Sequence, residues 1–304
     1  MSEPAPFPPD PAAAPHRAIA HRSLAHVRAE PRHSAELVTQ MILGEEALVL
    51  AVRDPWLRIR LADGYLGWVH GGSVVRSAVD DPEAFARSLN GPPWEDPAVW
   101  IVVARGQVLR QGPEPGSPQA ADLVQGGRVR IGDPDGDPLA ATLPDGTTGW
   151  LDRQAAVPVA RLAERFPRDG EALVEHAADF LGLPYLWGGT SEKGFDCSGL
   201  VQRIYGLHGI RLPRDAGPQS TVGEPVDPGP GWRDVRPGDL AFFAEPPGAR
   251  VTHVGILAPG GRMIHASTSR NGVAWDVLPP AGTSTPLGER LAGWLGGIRR
   301  VVSG

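Results

Sequence analysis

Cysteine is nearly missing from this 304-residue chain, where Cys197 is the only one. That excludes an internal disulfide and any zinc site built from cysteine thiolates. Two readings of Cys197 stay open, a small buried apolar side chain or a nucleophile. Lysine is also scarce, with Lys193 the one lysine, and 29 basic residues against 35 acidic ones leave a net charge of −6. Such a chain offers no basic field to nucleic acid or to an anionic membrane surface. Long apolar runs are missing too. Strongly apolar stretches such as Ala47–Val52 fall far short of the ~20 residues of a membrane span. Residues 1–15 have no basic opening and no apolar segment of about 7–15 residues. The expectation from these absences is a cytoplasmic protein.

What the chain does have is glycine and proline, 39 and 33 of them, which favour short strands joined by turns over a helical bundle. Residues 1–15 are proline-rich and aperiodic, and read as a flexible tail. From Ala18 on the pattern is strand-like: Val49, Val52, Leu57, Ile59 and Leu61 nearly alternate with polar residues. A repeat then becomes visible. The segment Asp63-Gly64-Tyr65-Leu66-Gly67-Trp68-Val69 returns as Asp145-Gly146-Thr147-Thr148-Gly149-Trp150-Leu151. Upstream, Leu37-Val38 matches Leu123-Val124 at a wider offset, which implies shorter loops in the second copy. Each copy reads as an all-β unit in which Asp-Gly makes the hairpin turn and the tryptophan anchors a small core.

After Pro158 the character changes. Asp169 is a helix cap, and Leu173, Ala177, Phe180 and Leu181 give the helix Gly170–Leu181 one apolar face, with Gly182 as its stop. A second helix opens at Asp196 or Cys197 and ends at Gly209, with Leu200, Val201, Ile204 and Leu207 as its buried stripe. Strands follow at Leu240–Phe243, Val251–Leu257, Arg262–Ala266, Val273–Leu278 and Trp294–Val302, so this part is α+β. At a helix start, unpaired N–H groups and the helix dipole favour a thiolate and can receive an oxyanion. Cys197 is therefore expected to titrate below a free thiol. His253 and His265 interrupt otherwise apolar strands, where a histidine is costly unless it is bonded or at work. If those strands pair, the two histidines are neighbours. They then serve as base and orienting group for Cys197, as satisfied core residues, or as a two-histidine metal site lacking an obvious third ligand. Parity sharpens this: an odd-numbered connection centred on Pro259 sets them face to face, whereas an even loop 258–261 separates them. His176 and His208 read as solvated or capping residues on helices.

The ordered series Pro184-Tyr185-Leu186-Trp187-Gly188-Gly189, Phe195-Asp196-Cys197-Ser198-Gly199-Leu200-Val201, Leu212-Pro213-Arg214-Asp215, Pro237-Gly238-Asp239-Leu240, His253-Val254-Gly255-Ile256 and Ile264-His265-Ala266 resembles the NlpC/P60 cell-wall cysteine peptidases. The resemblance implies a papain-like α+β fold with Cys197 as nucleophile, His253 as base, His265 as the orienting third residue and Tyr185 near the oxyanion. The two repeats resemble bacterial SH3-like domains. The implied fold class is an α+β papain-like catalytic domain preceded by two small all-β SH3-like barrels. The implied boundaries are a tail at 1–15, SH3-like domains at 16–80 and 98–158, a linker at 81–97 and a peptidase domain at 159–304.

That arrangement is similar to the subgroup that cleaves the γ-D-glutamyl bond to a diamino acid, diaminopimelate or lysine, in free muropeptides. In that subgroup the first SH3-like domain closes one end of the active site and selects a free N-terminal L-alanine. The matching positions here are Tyr65, Glu36, Asp215 and Ser198, with Asp196 beside them. The resemblance implies a murein peptide as the partner molecule; no cofactor or metal is expected, and the charge balance argues against nucleic acid and membrane as partners. An exported hydrolase of intact wall and a non-catalytic wall-binding protein are the competing readings. The joint presence of Cys197, His253 and His265 argues against the second.

Overall fold

The computed structural model describes residues 16–81, 84–85, 96–279 and 284–302. The tail expected at 1–15 and most of the linker expected at 81–97 lie outside the described residues. The chain divides into two compact units, 1–156 and 157–304. Among the described residues no helix is long and apolar enough to cross a membrane.

The sequence repeat is a repeat of topology. Strands β1 (His16–Ala20), β2 (Leu24–Arg28), β3 (Leu37–Ile42), β4 (Glu46–Arg53), β5 (Trp56–Arg60), β6 (Leu66–His70) and β7 (Val74–Ala78) form one antiparallel sheet in the order β3-β2-β6-β5-β4-β1-β7. The second set is β8 (Val99–Val102), β9 (Val108–Arg110), β10 (Gln119–Asp122), β11 (Arg128–Ile131), β12 (Leu139–Thr142), β13 (Thr148–Leu151) and β14 (Ala156–Pro158). It forms a second sheet in the same relative order, β10-β9-β13-β12-β11-β8-β14. The turns match as well. Asp63 Oδ1 accepts the Tyr65 N–H and Asp145 Oδ1 accepts the Thr147 N–H, both at 3.0 Å. Gly64 and Gly146 take φ of +83° and +86° between them, a region that L side chains rarely adopt.

Two expectations need correction here. Trp150 is only half-buried and does not anchor its core, and Trp68, although buried at 8% exposure, stands outside the apolar cluster of its sheet. The residues after them, Val69 and Leu151, are 0% and 2% exposed and belong to those clusters, as strand alternation requires. The upstream offset is also the same as downstream. Gly44 N–H bonds Ala20 at the end of β1 and Gly126 N–H bonds Val102 at the end of β8. Met41-Ile42, not Leu37-Val38, therefore stand where Leu123-Val124 stand.

The second unit holds a six-stranded antiparallel sheet in the spatial order Glu224–Pro225, Leu295–Arg300, Leu240–Phe243, His253–Ala258, Arg262–Ser267, Gly272–Val277. One face, through Phe242, Val254, Ile256 and Ile264, shares a core with Leu200, Val201 and Ile204 of the helix Cys197–Leu207 and Leu173 and Ala177 of the helix Gly170–Ala178. The other face, through Phe243, Leu257 and Met263, packs on Trp232, Leu287 and Leu291. The first of these helices along the chain ends at Ala178 rather than Leu181, so Leu181 leaves the buried stripe and is 40% exposed.

His176 and His208 are buried, 6% and 2% exposed, and not solvated, while His208 is the C-cap of the helix Cys197–Leu207. The burial is affordable because they satisfy each other. His208 Nδ1 meets the Pro167 carbonyl at 2.5 Å, and its Nε2 lies 3.1 Å from His176 Nδ1.

Candidate active site

Asp196 sets the frame of the site. It is the N-cap of the helix Cys197–Leu207, and its Oδ1 accepts the Gly199 N–H at 2.6 Å. Its Oδ2 accepts the Gly188 N–H at 2.9 Å, which ties the Trp187-Gly188-Gly189 loop to the helix start. Arg214, 2% exposed, holds both carboxylate oxygens at 3.0 and 2.6 Å and donates to Ser198 Oγ at 2.9 Å. Gln219 donates to the carbonyls of Ser198 and Pro213 and so fastens the Leu212–Asp215 segment to the same helix turn. Asp215, half-buried, is the N-cap of the short helix Ala216–Gln219. A side chain on Gly199 would run into the Gly189 carbonyl, so glycine is required where loop and helix meet.

The Cys197 thiol lies against the start of the strand His253–Ala258. Sγ is 3.9 Å from the Thr252 carbonyl and accepts the N–H groups of Val254 and Ser198. These contacts bracket His253. Burial and then the Asp196 carboxylate push the thiol up to about 12, and the two N–H groups and Arg214 pull it back only in part. The expected low thiol pKa is therefore not a property of the thiol alone, because burial outweighs the helix start. Burial, and after it His265, likewise lower His253 to about 3. Burial thus favours the neutral form of each group.

His253 Nε2 and His265 Nδ1 are 2.7 Å apart. The hairpin between their strands pairs Ile256 with Ile264 and Ala258 with Arg262, so its three-residue connection 259–261 is odd-numbered but centred on Gly260 rather than Pro259. The histidines share a face, as parity requires, but stand on a diagonal. The same register sets Gly255 opposite His265, and a Cβ there would lie 3.2 Å from the His265 Cβ and overlap Met263. The missing side chain is what lets His265 lean across to His253. Tyr185, half-buried on the loop before Gly188, is pushed upward by burial, then by Cys197 and Asp196, so its phenol keeps its proton.

Seven of the nine residues singled out in the sequence thus lie in the second unit, with Cys197, Asp196 and Ser198 on one helix turn. The other two lie in the first unit. Tyr65 is half-buried on the turn before β6, and Glu36 is exposed in the β2–β3 loop. Pairing of Arg28 with Trp68 puts that loop and that turn at one end of the first sheet. Among the described residues no group of three or more His, Cys, Asp or Glu is placed to hold a metal.

Comparison with known proteins agrees with this geometry. Residues 182–286 match the NlpC/P60 family, and residues 27–73 match the bacterial dipeptidyl-peptidase Sh3 domain. A gamma-D-glutamyl-L-lysine dipeptidyl-peptidase of Bacillus cereus is 30% identical over 254 residues, 80% of this chain and 71% of that protein. The chain belongs to the NlpC/P60 family. It is a cysteine peptidase, with a papain-like catalytic domain preceded by SH3-like sheets. A protein of the same name from Bacillus subtilis is 46% identical over 99 residues, 32% of this chain and 31% of that one. A solved NlpC/P60 protein from Bacillus cereus shares the fold with a TM-score of 0.74 at 24% identity, covering 94% of this chain and 100% of that one.

Arg214, Gln219 and Asp276 carry no role that was legible in the sequence, and the structure builds them into the site. Asp276 is 0% exposed and meets His265 Nε2 at 2.9 Å. Its signal was present: an acidic residue in the apolar run Val273-Ala274-Trp275-Asp276-Val277 poses the same puzzle as a histidine there.

Proposed function

We propose that this NlpC/P60 peptidase hydrolyses the γ-D-glutamyl bond to a diamino acid, diaminopimelate or lysine, in free wall peptides that begin with L-alanine, as a step in their recycling. The observation that carries this is the row from Cys197 at a helix start to His253 and His265 on adjacent strands, with 2.7 Å between the two rings. In this reading His253 takes the Cys197 proton as Sγ attacks the γ-carbonyl carbon. The Cys197 N–H and the protonated Tyr185 phenol meet the oxyanion. When the C–N bond breaks, His253 gives its proton to the departing amine. Water, deprotonated by His253, then hydrolyses the thioester and frees L-Ala-D-Glu and the thiol.

By the resemblance, Asp215 is assigned to the substrate ammonium in this reading. Asp196 and Ser198 stand beside it, and their bonds to Arg214 hold the helix start and the loop in place. By the resemblance alone, Tyr65 and Glu36 are assigned to the same ammonium. The two relatives named gamma-D-glutamyl-L-lysine dipeptidyl-peptidase support the bond chosen. The test is incubation with L-Ala-γ-D-Glu-diaminopimelate and with its lysine counterpart. Release of L-Ala-D-Glu by the natural enzyme and none by Cys197→Ser is expected. Intact tripeptides in both cases would overturn the reading.

A further inference from the structure

Asp276 accepts from every polar group that meets it. His265 Nε2 lies at 2.9 Å, Arg270 Nε at 3.1 Å and Thr285 Oγ1 at 2.5 Å, and the Arg270 terminal nitrogen closes a second bond to Oδ1. These groups come from the strand Arg262–Ser267, the turn Thr268–Arg270 and the start of the helix Pro286–Ala292. Arg270 is the only one of them with a fixed charge, and it compensates the buried carboxylate. With donors on both oxygens, Asp276 is an ionised acceptor.

The consequence runs along the row by bond counting. His265 must carry its proton on Nε2 to bond Asp276. A neutral imidazole has one N–H, so His265 Nδ1 is a lone pair. His253 Nε2, 2.7 Å away, must then donate to it. That leaves His253 Nδ1 unprotonated, the nitrogen free to take the thiol proton. Reversing the first bond reverses every later one and sets an N–H where the base should be.

We propose that Asp276 is a positioning residue of the catalytic row: it fixes the tautomers of His265 and His253 and so decides which nitrogen of His253 can act as the base. The proposal rests on the function proposed above only for the roles of Cys197 and His253. A plain structural role, tying a strand to a turn and a helix start, is the competing account.

The experiment compares the full-length protein with Asp276→Asn and with Asp239→Asn. Asp239 is a second buried carboxylate, held by two hydrogen bonds from Arg300 and one from the Arg236 N–H, and its side-chain partners among the described residues include no histidine. Imidazole nitrogen NMR of the natural protein should show His265 protonated on Nε2 and His253 protonated on Nε2. In Asp276→Asn, kcat on the tripeptide should fall by on the order of 100-fold or more with KM little changed. The pH midpoint of Cys197 alkylation should also rise by about one unit or more. Asp239→Asn should lose stability with the midpoint and histidine signals in place. A resting His253 protonated on Nδ1 in the natural protein would overturn the proposal with no variant needed, as would equal effects of the two substitutions. Alkylation and NMR need no substrate, so an enzyme that passes both and leaves the tripeptide intact refutes the substrate reading alone.

Discussion

At the scale of single residues, the chemistry turns on two groups that burial keeps neutral. The thiol of Cys197 sits at about 12 and the His253 imidazole at about 3. The sign is the same for both: each neutral form persists across the range between those values, so a reactive thiolate exists only as the partner of a protonated His253. Iodoacetamide should therefore inactivate the natural enzyme at a rate nearly flat across neutral pH, because the pair holds the same number of protons throughout that range. In His253→Ala the proton has nowhere to go, and alkylation should be nearly lost at neutral pH and recover only toward the raised value of the thiol, because burial and Asp196 still act on it. Inactivation curves that coincide for the two proteins would refute ionisation as a pair. Cys197 and the two histidines were legible as outliers, a thiol at a helix start and imidazoles in apolar strands. Arg214 was not, because a lone arginine after Leu212-Pro213 looks like any surface arginine until the fold closes it over Asp196.

Elements add what single residues lack, namely direction. The hairpin from His253 to Ser267 could be read for parity, since alternation depends only on odd or even spacing. Its centre could not, because the positive φ of Gly260 and of Gly261 suits a turn centred on Pro259 as well as one centred on Gly260, and the difference moves each cross-strand partner by two residues. That shift makes the histidine pair diagonal and makes Gly255 the residue that permits it. Gly255→Ala should strain the hairpin by roughly 1–3 kcal/mol, the range for overpacking a closed site, and should lower turnover more than it lowers stability. Thermal unfolding and kcat measured on one preparation decide this, and full turnover in a destabilised variant would show that the pair does not depend on the gap at Gly255. His176 and His208 make the complementary point. From their place on helices they read as solvated or capping residues, and only the packing of Phe166 and Pro167 shows that they form a satisfied buried pair.

Across the whole molecule, the order of domains was legible because each part carries its own periodicity: two turn-rich β repeats, then helices, then a sheet. The detailed equivalence of the repeats was not, since Leu37-Val38 and Met41-Ile42 look alike as apolar pairs and only the bonds of Gly44 and Gly126 choose between them. The repeats differ at one position the resemblance makes important, where Tyr65 of the first copy is Thr147 in the second. Tyr65→Ala should reduce kcat/KM on the free tripeptide by about tenfold, a neutral-to-charged hydrogen bond being worth roughly 1.5 kcal/mol or more. Thr147→Ala should leave it unchanged, and equal losses from the two would withdraw the assignment of Tyr65. The most direct test of the account is the ratio of kcat/KM for L-Ala-γ-D-Glu-diaminopimelate to that for the same peptide N-acetylated. Loss of a charge-assisted bond of roughly 1.5–3 kcal/mol predicts a ratio on the order of ten to a hundred or more in favour of the free amine, and a ratio near one would contradict it.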